Sequence, residues 1–434
     1  MLVTLRGRCI TPFWVQIKMR FDLRYGAGFL PLEINERLTV ETLLPMTVEH
    51  VVDVERSIIE SLEHPINSDP FSKIISNAES IALVVNGSQD FELNSILLLE
   101  VLEHLRTSIL TQDNISVIYQ NESQKPRSQS EASIDAADDY QLILHDSNSN
   151  DNLCFVGETP THCTPLHVNQ IFMDAAVKIG IGTIRPDVFV GATGGRMSVL
   201  PHCSGMKSIS RNSKLMATHP VGPFVTDSAV CTDLDEASKL ACLDFVVNAI
   251  PDWKDNLYGI VAGDPYTAWK NGVSHSKLMT MTNLQHKADI AIVSAGGSDN
   301  DRTLYDAVDA LHAGRESTEH GGVIVLVAEC DDGPGYNGFI RGVSECNSSE
   351  EVSLLAETGF EIGMEKAKLF WDVLSARKIV ICSRLRESLV TERFHCSSAK
   401  DPQEGFKLAK SLIVSRPRIA IIQHGCRSIP MMNS

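Results

Sequence analysis

Apolar residues in this chain fall into short uninterrupted runs, separated by longer stretches in which they recur every three or four positions. The run Ile81-Ala82-Leu83-Val84-Val85 is bounded by the turn Asn86-Gly87-Ser88 and reads as a buried strand. Residues 93–110 then carry Leu93, Ile96, Leu97, Val101 and Leu105 at helical spacing, and 115–119 form the next apolar run. Strand, helix and strand in this order make a βαβ unit and predict a parallel sheet. Further strands are expected at 142–144, 177–181, 188–190, 245–250 and 258–262, with helices over 237–243 and from 265 to about 273.

A second alternating series begins near Ala288. Strands are expected at 289–294, 323–328, 378–383 and 418–423, with helices at 301–313, 361–376 and 402–414. Four strands separated by helical segments describe a doubly wound α/β unit. The predicted fold class is therefore α/β, with two domains, each a largely parallel sheet flanked by helices. The expected domains are 21–283 and 288–425, with the boundary near 280–288 and residues 1–20 as an N-terminal extension. Residues 121–139, polar and rich in Ser, Gln and Asp, read as an exposed loop or lid.

Composition narrows the function classes. Among 434 residues, 38 Lys and Arg stand against 55 Asp and Glu, a formal charge of −17. Nucleic acid and anionic membranes reward positive charge, so neither is expected as a partner. No apolar run is long enough for a membrane helix. Residues 1–20 carry Arg6, Arg8, Lys18 and Arg20 without the long apolar core of a signal peptide. Eleven scattered cysteines without a Cys-x-x-Cys pair suit reduced thiols and a cytoplasmic setting.

The densest glycine signal is Gly191-Ala192-Thr193-Gly194-Gly195-Arg196-Met197-Ser198, directly after a predicted strand. Glycines let a backbone approach an anion closely, and Arg196 and Ser198 would add a charge and a hydroxyl. A tight turn is the plainer reading. Gly296-Gly297 and Cys330-Asp331-Asp332-Gly333-Pro334-Gly335 follow strands of the second series, at the carboxyl ends where open α/β sheets bind ligands. His162, Cys163, His167, His202 and Cys203 have side chains able to ligate a soft metal, but their spacing matches no standard zinc pattern.

Several segments together resemble one family, the LarA-type lactate racemases, which use a nickel-pincer nucleotide. Leu62-Glu63-His64-Pro65-Ile66-Asn67-Ser68 resembles an early "NPIGS" stretch. Ile184-Arg185-Pro186-Asp187-Val188-Phe189-Val190-Gly191, followed by Gly194-Gly195-Arg196-Met197-Ser198-Val199-Leu200-Pro201, resembles the "EPHFFAG…GGRKSxxPG" signature. Phe245-Val246-Val247-Asn248, Ala262-Gly263-Asp264, Gly296-Gly297, Tyr305-Asp306-Ala307-Val308, Gly321-Gly322, Gly333 and Gly335 continue the likeness in order, over about residues 22–425.

The resemblance implies a two-domain LarA-like architecture and racemisation of a 2-hydroxy acid by hydride transfer to the cofactor and back. That chemistry needs a base on each face of the substrate, a metal ligand and a cation for the carboxylate. The sequence departs from the pattern at these points. Gln124 stands where the family has its first catalytic histidine, and Asp187 where it has the second. Met197 replaces the lysine that binds the cofactor covalently, and Ser213 the nickel ligand. Phe91 falls at the substrate arginine, and Asp309 at a lysine of the second domain. Glutamine cannot take a proton and serine is a poor nickel ligand.

The expectation is a divergent member that is not a lactate racemase and binds a small anionic molecule or nucleotide in the inter-domain cleft. Gly194, Gly195, Arg196, Met197, Ser198, Gly296 and Gly297 are then the binding candidates, and any pincer nucleotide would not be covalently attached. Two alternatives stand beside it. One is an active 2-hydroxyacid racemase or epimerase with a relocated site, using Asp187 as base with His202, Cys203 or His219 near the cofactor. The other is a non-catalytic binding or regulatory subunit.

Overall fold

A computed structural model describes residues 18–35, 38–46, 49–86, 90–106, 112–120, 140–219, 222–298 and 300–432. The expected loop at 121–139, Gln124 within it, and nearly all of the extension at 1–20 lie outside the described residues.

The first sheet runs Leu257–Gly263, Phe245–Pro251, Val177–Thr183, Ile81–Val85, Ile115–Gln120, Gln141–His145 in spatial order. Neighbours are parallel except the edge pair Phe245–Pro251 and Leu257–Gly263. Ile81–Val85, Val177–Thr183 and Phe245–Pro251 are buried along their whole length, as strands covered on both faces must be. On one face the helix Phe91–Arg106 lays Leu97, Leu98, Val101 and Leu105 over Leu83, Ile179 and Ile181. The other face turns Ala82, Val84 and Val246 toward Phe172, Val199 and Leu234.

The second sheet is parallel throughout: Ser397–Ala399, Lys378–Cys382, Thr318–Val327, Ala288–Ser294, Arg418–Ile422, Thr39–Leu43. One contiguous apolar core joins the inner face of the first sheet to Ile324, Leu326, Phe339 and Phe370 beside the second. The fold is thus α/β, with parallel-dominated sheets flanked by helices. Among the described residues no helix is long and apolar enough to cross a membrane.

Three features depart from the sequence-based expectation. Residues 188–190 are not a strand. They form the turn between the two-residue strands Pro186–Asp187 and Gly191–Ala192, because Asp187 Oδ1 accepts hydrogen bonds from the amides of Phe189 and Val190 at 2.7 and 2.8 Å and closes the turn. The helix expected over 301–313 is two short ones, Leu304–Ala307 and Ala310–Ser317, the first opened by a Thr303/Asp306 capping box. Early residues, grouped by chain order with 21–283, build onto the second sheet. Thr39–Leu43 is its edge strand, and the hairpin Lys18–Tyr25 and Gly28–Asn35 packs Leu23, Leu32 and Ile34 on Ile290, Ile292 and Ile421. Strand addition and apolar contact connect segments nearly four hundred residues apart, which local periodicity does not reveal.

Candidate functional site

The glycine loop of 191–198 is set by backbone geometry. Gly191, Gly194 and Gly195 have φ of +75°, +83° and +55°, in the region that favours glycine. The Gly195 amide donates to Asn248 Oδ1 at 2.8 Å. The guanidinium of Arg196 lies 3.7 Å from the centre of the Trp269 ring and pairs with Asp235 at 3.1 Å. Ser198 is buried against Gly180, where an added Cβ would stand 2.2 Å from its Oγ. The Gly195 amide and the Arg196 charge, both candidates for holding an anion, thus have partners inside the protein. Met197 is half-buried and packs on the shared apolar core.

The charge of Asp187 acts on Asp309 of the second unit. Asp309 follows the short helix Leu304–Ala307, and Lys366, from the helix Met364–Leu374, donates to Asp309 Oδ2 at 2.8 Å. Burial, with the charge of Asp187 adding to it, lifts Asp309 to about 6 even though Lys366 works the other way. Lys366 is itself buried, which disfavours its charge, but Asp309 and Asp306 outweigh this and raise it. Its Nζ also lies 4.3 Å from the centre of the Tyr305 ring. The Tyr305 hydroxyl donates to Glu365 Oε1 at 2.8 Å, and burial, then Glu365, push it well up. Three carboxyls (Asp187, Asp309 and Glu365), an ammonium and a phenol thus act on one another where the two units meet. Lys366 and Glu365 carried no signal at the sequence level, because only the packing of Met364–Leu374 against Ala310–Ser317 brings them there.

The histidine and cysteine candidates do not assemble into a metal site. His202 is buried and held down at about 4, by burial first and His145 second. Cys203 is buried, and burial raises its thiol. His167 packs on Phe155, and His162 lies edge-on to His219. Among the described residues no group of three or more His, Cys, Asp or Glu could hold a metal ion. A nickel-pincer nucleotide, the group that the resemblance implies, would meet a Met197 thioether with no amine for a covalent link and a Ser213 hydroxyl in place of a soft nitrogen donor. The residues present do not fit that group. Phe91 opens the helix Phe91–Arg106.

Gly296 and Gly297 follow Ala288–Ser294 and adopt φ of +126° and +90°. They border a different group, made by His424, Arg24 and Arg427. A cavity of about 360 Å³ on the outer edge of the first sheet, beside Tyr258, His64 and His275, is lined by none of the predicted site residues.

Residues 25–222 match the profile described as the lactate racemase N-terminal domain, and 284–429 that of the lactate racemase C-terminal domain. Lactate racemase of Thermoanaerobacterium thermosaccharolyticum is 23% identical over 416 residues, spanning 93% of this chain and 97% of the relative. The lactate racemase of Lactiplantibacillus plantarum is 22% identical over 424 residues, spanning 93% and 98%. The structure of the apoprotein of the Thermoanaerobacterium lactate racemase superposes with a TM-score of 0.82 at 22% identity, covering 95% of this chain and all of that one (100%). A Thermotoga maritima protein superposes with a TM-score of 0.65 at 11% identity, over 89% of this chain and 100% of that one.

Proposed function

This chain belongs to the lactate racemase family, and on that premise we propose that it keeps the family's cleft but not its reaction, and binds a small anionic molecule there. The observation that carries this is the Asp187–Asp309–Lys366 group. Asp187 stands at the position of a catalytic histidine, and its Oδ1 is occupied by the amides of Phe189 and Val190. Asp309 stands at the position of a lysine, and the cation has moved to Lys366, which faces it. An ammonium has three donors and Asp309 takes one. The others are free to grip a carboxylate, with Tyr305 and Glu365 fixing the surroundings. Neither Gln124 nor Asp187 offers the base that the racemase reaction needs on each face.

Chiral analysis of lactate after long incubation, with nickel and cofactor supplied, tests the loss of racemisation, and no turnover is expected. Thermal unfolding with lactate, glycolate and malate tests binding. At ligand a hundredfold above Kd the native state gains about 2.7 kcal/mol, and Lys366→Met is expected to abolish that gain. Lactate turnover on the order of one per second, or a ligand shift unchanged in Lys366→Met, would refute the reading.

A second reading rests on Asp309. A carboxyl lifted to about 6 can exchange a proton near neutral pH, so a 2-hydroxyacid isomerase with a relocated site would use Asp187 and Asp309 as its acid–base pair. Turnover of a 2-hydroxy acid other than lactate, lost in both Asp187→Asn and Asp309→Asn, would favour it over simple binding.

A further inference from the structure

Arg185 and Arg427 meet on Asp255 where the two sheets adjoin, and Arg24, whose guanidinium lies 6.0 Å from the centre of the Phe29 ring, adds a third charge that acts on Arg427 and His424. Arg24 comes from the hairpin strand Lys18–Tyr25, Arg185 follows Val177–Thr183, and Arg427 ends the short turn Gly425–Arg427 after Arg418–Ile422. The hairpin is pinned in place. The Gly26 amide donates to Asp301 Oδ2 at 2.9 Å, the Gly26 carbonyl accepts from the Ser298 amide at 2.9 Å, and Ser294 Oγ donates to the Arg24 carbonyl at 2.7 Å. Arg185 and Arg427 are each 7% exposed. Buried like charges this close disfavour one another. Burial first, then Arg185 and Arg24, pull Arg427 down to about 9 against the opposing Asp90 and Asp252.

The nearby carboxylates are largely committed. Asp90 gives both oxygens to Arg185. Asp252 is taken by the Lys254 and Asn256 amides, the Asn256 side chain and His50. Asp255 Oδ1 is shared between Arg185 and Arg427. What is left over is positive or polar. Among the described residues Arg24 has no carboxylate partner, and Arg427 Nε and His424 Nδ1 are buried without any partner. His424 is 4% exposed, and burial, followed by Arg24 and Arg185, holds it neutral. Gly296 lies against this nitrogen: a Cβ there would stand 3.0 Å from His424 Nδ1 and 3.0 Å from Asn300 Nδ2.

We propose that this junction is a phosphoryl-binding site, with Arg24 and Arg427 as its cationic grips and His424 as a neutral partner. A phosphoryl group is close to a dianion at neutral pH and presents oxygens in several directions, so it suits donors that arrive from separate elements. A planar carboxylate is better served by one guanidinium fork. Gly296-Gly297, at the carboxyl end of a central strand, is where an open α/β sheet takes its ligand. The site is separate from the Lys366 group and does not depend on it. The phosphoryl group would come from free phosphate or from a phosphate ester.

The experiment is thermal unfolding and calorimetric titration of the full chain with inorganic phosphate, adenosine monophosphate and acetate, at ionic strength balanced with chloride. Phosphate is expected to raise the melting temperature of the wild type. Arg24→Gln leaves no acid unpaired, so it should fold, and it is expected to bind phosphate roughly tenfold more weakly or worse. Arg56→Gln, on an exposed helix, should bind as the wild type does. Arg427→Gln provides a second variant, checked for folding by circular dichroism. Tighter binding of adenosine monophosphate than of phosphate, with the same dependence on Arg24, makes an ester the ligand, and equal binding makes it the free anion. No phosphate effect on the wild type, an unchanged effect in Arg24→Gln, or acetate binding as well as phosphate would overturn the proposal.

Discussion

Arg185 and Asp90 meet through two parallel hydrogen bonds, Nε to Oδ2 at 2.7 Å and Nη2 to Oδ1 at 2.5 Å. Both side chains are only 8% exposed. Burial alone would raise Asp90, but the charge and hydrogen bonds of Arg185 more than offset it and hold the carboxyl below its ordinary value. The pair fixes the start of Phe91–Arg106 to the end of Val177–Thr183, so it orders one wall of the junction between the sheets.

Removing one member strands the other. Asp90→Asn should cost about 3–5 kcal/mol at pH 7, read from denaturant midpoints. Because the folded carboxyl is depressed, its stabilisation is fully present above the unfolded value of about 4 and is lost as pH falls through the lower folded value. The wild type should therefore show an acid-unfolding component that the variant lacks. Identical acid profiles would contradict this.

Asp309 has the opposite sign. Its folded carboxyl is raised to about 6 from the ordinary aspartate value of about 4, so the native state holds the proton more tightly. Its contribution is greatest at low pH and is lost as pH rises from about 4 to about 6. In Asp309→Asn that dependence should vanish, so wild type and variant should diverge by roughly 1–3 kcal/mol across this window. Stability curves measured between pH 4 and 7 check it, and parallel curves would count against the assignment.

The glycine loop is predicted to be intolerant for packing reasons. A Cβ on Gly191 would stand 2.2 Å from the Val225 carbonyl oxygen, a backbone atom, and one on Gly195 would stand 2.8 Å from the Trp269 side chain. Both positions also have positive φ. Gly191→Ala and Gly195→Ala should each lose more than about 1–2 kcal/mol. Gly259→Ala, with nothing within 4 Å of the new carbon, should lose less than either. Melting temperatures of the three variants decide.

No covalent nucleotide adduct should form at Met197, whose thioether cannot make the linkage an amine can. Intact-mass measurement after co-expression with cofactor-making enzymes is expected to return the mass of the unmodified chain. An adduct mapped to the peptide around Met197 would refute it.

Periodicity alone carried much of this protein. Runs such as Ile81–Val85 satisfy their backbone and bury every side chain as central parallel strands, so both alternating series and the α/β class were readable from the sequence. The glycine and proline landmarks were equally legible, since positive φ and close backbone approach leave little choice of residue. Tertiary structure decided what no local pattern encodes. Thr39–Leu43 becomes the edge strand of the second sheet by pairing with Arg418–Ile422, a partner that nothing within residues 39–43 reveals. Gly195 and Arg196 looked like an anion loop in sequence, but Asn248, Trp269 and Asp235 occupy them from 39 to 73 residues further along the chain. Lys366 meets Asp309, and Arg427 meets Arg185 on Asp255, only after two sheets have packed. Charge placement depends on which surfaces come together, and that is a property of the assembled core rather than of the spacing between neighbours along the chain.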